Sequence, residues 1–100
     1  MYMEEREKFF NDFCKKQFDV YKNKNDDYGD SFVYGLNVYG KITFATRVCD
    51  KYKRIESLAN KELKGEKHKV KDESFDDTVR DLFNYCWMYL MWKESKEQGW

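Results

Sequence analysis

The sequence predicts a helical protein, with antiparallel long helices at residues 4–23, 41–62 and 74–94. Two observations carry that prediction. In each segment apolar residues recur at three- and four-residue spacing, the period that gathers side chains on one helix face. Proline is absent, so no helix is broken by a missing N–H or a fixed φ.

The first helix rests on Phe10, Cys14, Phe18 and Tyr21, with Phe9 and Phe13 alongside. It is expected to fray at "NKND", because Asn and Asp side chains compete for the backbone. The next stretch, "SFVYGLNVYGKITF", stays open between strand and helix. Its Val, Tyr, Phe, Ile and Thr favour strands, and two glycines suit a hairpin. Residues 41–62 carry a stripe of Ile42, Ala45, Val48, Cys49, Tyr52, Ile55 and Ala59. A charged connection follows, "LKGEKHKVKD". The clearest helix is the last, with Phe75, Val79, Leu82, Cys86 and Leu90 on one face and Phe83, Trp87 and Met91 widening it. Ser74 and Asp77 are spaced as a capping box. The tail, residues 95–100, is expected to fray, and no internal repeat is present.

A chain of 100 residues fits one domain. Small domains bury a modest share of their surface. Aromatic residues make up 19% of this one, although its mean hydropathy is −1.00. A homo-oligomer, dimer or higher, is therefore expected, with some of Phe83, Trp87, Met91 and Trp92 buried between subunits. With 19 basic and 19 acidic residues the net charge is zero, which argues against general nucleic-acid binding. Cys14, Cys49 and Cys86 read as reduced, buried thiols, and no CxxC or Cys/His spacing suits zinc. His68 reads as a solvated loop residue. The acidic start "MYMEEREKFF" does not read as a signal peptide, and no apolar run reaches membrane length. A cytoplasmic protein without membrane partners is expected.

Two polar stripes could do chemistry. Arg47, Lys51 and Arg54, with Lys61 further on, share one side of the second long helix. Guanidinium and ammonium groups so placed can clamp phosphates, and Arg54 is expected to be partly shielded by the apolar face. Glu73, Asp77, Asp81 and Asn84 share one side of the last helix. Three carboxylates and an amide suit Mg²⁺, which takes hard oxygens. First-turn acids also favour the helix dipole, so Asp77 has a structural explanation as well. The rival to any site is that the two stripes simply pair with each other. "DDYGDS" is an Asx- and Gly-rich turn in which Asp30 or Ser31 can cap a following helix.

"KNKNDDYGDSF", "FATRVCDKYKRIESL" and "VKDESFDDTVRDLFNYCWMYL", in that order, resemble the phage nucleotide modification associated domain family, first class. The pattern is K-x-x-DYG-x-S-[FW], then K-x-x-R-[IL]-x-x-L, then D-[ED]-S-x-x-D-T-x-x-D-L-x-N-Y. That family looks like a relative of the MazG-type all-α nucleotide pyrophosphohydrolases. The resemblance implies an all-α, MazG-like bundle in which residues 31–39 form a short helix or turn. It implies a nucleotide ligand near Lys24, Asp27, Tyr28, Asp30 and Ser31, the Arg47/Lys51/Arg54 stripe and the Glu73/Asp77/Asp81 stripe.

The enzymes it points to carry EExxE and ExxD helices around Mg²⁺. Here the EExxE helix reads "RVCDKYKRIES", and Asp77 and Asp81 stand four apart where three is expected. Half the carboxylate cage is thus missing or replaced by cations, and no catalytic residue can be assigned. The leading expectation is sequestration or processing of a phosphorylated nucleotide, such as a host defence signal. The alternatives are a Mg²⁺-dependent nucleoside triphosphate pyrophosphohydrolase and a non-catalytic protein–protein inhibitor or assembly module.

Overall fold

The computed structural model describes residues 1–66 and 74–99. They form four helices, α1 (Met3–Tyr28), α2 (Ser31–Tyr39), α3 (Lys41–Leu63) and α4 (Phe75–Gln98). No strand occurs among the described residues, so the protein is all-α and the stretch left open is helical on both sides of Gly40. His68 and Glu73 lie outside the described residues. The chain divides into two compact units, Met1–Ser31 and Phe32–Trp100.

The first unit is α1 and the turn after it. The helix does not stop at "NKND" but runs on to Tyr28 and ends at Gly29. Asn and Asp cost only a few tenths of a kcal/mol each in a helix, and extending an existing helix is easier than breaking it. Phe9 stacks on Phe13 and Phe18 meets Tyr21 edge-on, both at 5.8 Å between centroids. Phe9, Phe10 and Phe18 remain exposed.

In the second unit α3 and α4 are antiparallel. Phe44 stacks on Tyr89 at 4.8 Å, Arg47 lies over Tyr85 and Lys51 meets Asp81, so partner numbers fall as α3 advances. α2 runs parallel to α4: Phe32 packs edge-on against Tyr85 at 4.9 Å, and further along Trp92 Nε1 donates to Asn37 Oδ1 at 2.9 Å. The corner between α2 and α3 is Gly40, at φ 74° and ψ −149°, a conformation essentially confined to glycine. Gly35 lets the two helices close up. A Cβ there would sit 2.8 Å from Thr43 Cγ2, while the Thr43 hydroxyl donates to the Gly35 carbonyl at 2.9 Å. Phe32, Leu36, Leu58 and Met88 form the buried apolar centre, with Leu36 only 1% exposed.

Three expectations need correction. The face of α3 turned to α4 is Phe44, Arg47, Lys51 and Leu58, whereas Ile42 and Tyr52 of the apolar stripe are exposed. The large rings of α4 meet α3 through Phe44 and the stem and charge of Arg47, and that contact sets the rotation. Secondly, Cys49 and Cys86 are exposed and only Cys14 is half-buried, all three being free thiols. Thirdly, α4 remains helical through Gln98 and closes on Gly99 in the left-handed conformation, whose N–H reaches the Ser95 carbonyl; this C-cap keeps its last turn wound. Phe83, Trp87, Met91 and Trp92 are each half-buried. Among the described residues no helix is long and apolar enough to cross a membrane.

Candidate functional site

Arg47, Lys51 and Arg54 follow one another at four and three residues along α3, so they share a side. The register with α4 gives each a different environment. The Arg47 guanidinium carbon lies 5.7 Å from the centre of the Tyr85 ring, within cation–π range. Lys51 Nζ is 3.0 Å from Asp81 Oδ2, and their side chains are only 17% and 32% exposed. Arg54 is exposed, against the expectation of shielding.

Arg47, Asp50, Lys51, Lys53, Arg54 and Tyr85 line an open recess of about 410 Å³. That volume falls within the ~300–1,000 Å³ of small-molecule pockets. Four of the six lining residues are cations and one is a carboxylate, so the recess favours an anion. Two guanidiniums offer paired donors and the lysines add mobile point charges, a combination matched to phosphate oxygens. Tyr85 gives the recess an aromatic member beside those charges.

The acidic face of α4 is organised differently from a metal cage. Asp77 accepts from Arg80 at 3.0 Å, and Asp81 holds Lys51. Asn84 is buried, and its carbonyl oxygen accepts from Trp87 Nε1 at 2.9 Å. Among the described residues no group of three or more His, Cys, Asp and Glu is placed to hold a metal ion; the third expected carboxylate, Glu73, lies outside them. The rival reading, in which the basic and acidic stripes pair, is realised at Lys51 and Asp81. The capping expectation is realised too, since the Ser74 hydroxyl accepts from the Asp77 N–H at 2.9 Å.

The loop residues belong to the end of the first unit. Lys24 and Asp27 lie exposed on the last turns of α1, Tyr28 is its final residue, Asp30 is exposed in the turn, and Ser31 opens α2. Burial first, and the Asp30 charge second, push the Tyr21 hydroxyl above its ordinary pKa; a negative neighbour and lost solvent both disfavour a phenolate.

Sequence reasoning missed Tyr85, Lys53 and Asp50 as lining residues. Tyr85 had a signal, four residues after Asp81 and closing the N-Y of the last motif. Lys53 had none, because it lies off the Arg47/Lys51 stripe.

A family model described as nucleotide modification associated domain 1 matches residues 24–92. The chain belongs to this family. The matched span takes in the turn after α1, all of α2 and α3, the recess, and α4 as far as Trp92. Most of α1 lies before it. No curated protein and no solved structure gives a significant match.

Proposed function

We propose that this member of the family binds a nucleotide through its phosphates in the α3 recess and retains it without cleaving it. The observation that carries the reading is the grouping of Arg47, Lys51, Lys53 and Arg54 with Tyr85 around a space of small-ligand size. In this reading the cations hold phosphate oxygens and the Tyr85–Arg47 pair offers a flat surface for a base. The family description, with its link to nucleotide modification, points to the same ligand class. Sequestration of a host defence signalling nucleotide is the specific form proposed.

Hydrolysis is the second reading, and a MazG-like origin is its basis. Asp81 gives it a foothold, since this carboxylate contacts a lining residue of the recess. Any Mg²⁺ would come with the phosphates and needs only one or two protein carboxylates, for which Asp77 and Asp81 are the described candidates. Both already have a cation at 3.0 Å, and α3 supplies cations where the enzymes carry acids. Retention is therefore preferred.

The test is a calorimetric titration with nucleoside mono-, di- and triphosphates, each with and without Mg²⁺, followed by analysis of the recovered ligand. Retention predicts saturable binding with the ligand recovered intact. Monophosphate and pyrophosphate released from a supplied triphosphate would establish hydrolysis instead.

A further inference from the structure

The Lys51–Asp81 pair sits at the edge of the recess and links its lining to α4. Resting on the phosphate-binding reading above, we infer that Asp81 is an internal competitor for Lys51, a resident anion that the ligand's phosphate must displace. It is a positioning residue that sets affinity by acting through Lys51.

The geometry supplies the argument. The two side chains come from different helices, thirty positions apart in sequence, so the contact depends on helix packing and not on an intrahelical turn. Nζ to Oδ2 is 3.0 Å and both groups are partly withdrawn from solvent, which leaves the pair less screened than a surface pair. A lysine ammonium has three donors, and the carboxylate already holds it on the α4 side. The other lining cations, Arg47, Lys53 and Arg54, lie on α3 itself. A phosphate that engages them draws Lys51 from Asp81 or shares it, and each microstate carries the cost of a weakened pair. The carboxylate also adds negative potential beside a recess in which Asp50 is the only acidic lining residue among those described. Both effects have the same sign: Asp81 weakens anion binding. A carboxylate that served as a Mg²⁺ ligand would have the opposite sign for a metal-bound nucleotide.

The experiment measures inorganic pyrophosphate and adenosine diphosphate binding by calorimetry, in chelator and then in Mg²⁺. The proteins are wild type, Asp81→Asn, Lys51→Met and the double variant, with melting temperature recorded for each. Asn keeps the size and an acceptor oxygen while removing the charge. In chelator, Asp81→Asn is expected to bind both probes roughly two- to fivefold more tightly, the worth of a modest ion pair. In the Lys51→Met background the same substitution is expected to lose most of that gain, because a double-mutant cycle isolates the coupling. A purely structural role would shift the melting temperature without this Lys51-dependent gain. Unchanged or weaker binding by Asp81→Asn, with wild type still binding, overturns the competitor role alone. Absence of probe binding to every protein overturns it together with the phosphate-binding reading.

Discussion

Arg47 and Arg54 are the same residue type on the same side of α3, yet their surroundings differ. Arg47 is half-buried over Tyr85 and Arg54 is exposed. A shielded guanidinium loses less of its attraction to salt and solvent. Arg47→Ala is expected to weaken nucleotide binding by ~1.5–3 kcal/mol, the scale of a charged hydrogen bond. Arg54→Ala is expected to cost about 1 kcal/mol or less. Parallel titrations of the two variants check this ordering, and a larger loss for Arg54 would show that shielding is not what ranks them. Asn84 is a different case. Its buried carbonyl holds the Trp87 indole N–H, so Asn84→Leu is expected to destabilise the fold by ~1–3 kcal/mol. Urea unfolding followed by tryptophan fluorescence measures it. The identity of the charged stripe was legible in the spacing of Arg47, Lys51 and Arg54. Their ranking was not, because it depends on the helix register that sets Arg47 over Tyr85 and leaves Arg54 exposed.

At the scale of elements, α2 and α3 meet through glycines and α4 begins on a serine. Gly35→Ala places a methyl 2.8 Å from the Thr43 Cγ2. Overpacking of this kind costs ~1–3 kcal/mol, and the double variant with Thr43→Ser, which removes that methyl, is expected to recover part of it. Denaturant midpoints of the single and double variants decide the point. Ser74→Ala removes the acceptor for the Asp77 N–H and is expected to cost ~1 kcal/mol of stability. Helix existence was legible for α1, α3 and α4 from periodicity alone. The short α2 was not, since its β-branched and aromatic residues favour strands locally. Burial of Phe32 and Leu36 against the rest of the unit overrides that preference.

At the scale of the whole molecule, large apolar groups remain outside the buried centre, Phe9, Phe10, Tyr34, Tyr39, Ile42 and Leu90 among them. A homo-oligomer remains the expectation, and sedimentation at micromolar to high micromolar concentration tests it: a monomer throughout would remove it. By itself the sequence determined that the chain is helical, where its three long helices wind, and which family it joins. Those properties follow from local periodicity and from motifs read in order along the chain. Tertiary structure decided how α3 is rotated, and with it the site. Packing of Phe44 on Tyr89 and Arg47 on Tyr85 turned the basic stripe toward α4, while Ile42 and Tyr52 faced outward. Only then could Lys51 meet a carboxylate thirty residues away. No local pattern encodes that meeting, because it requires two helices to be fixed in antiparallel register before either side chain has a partner.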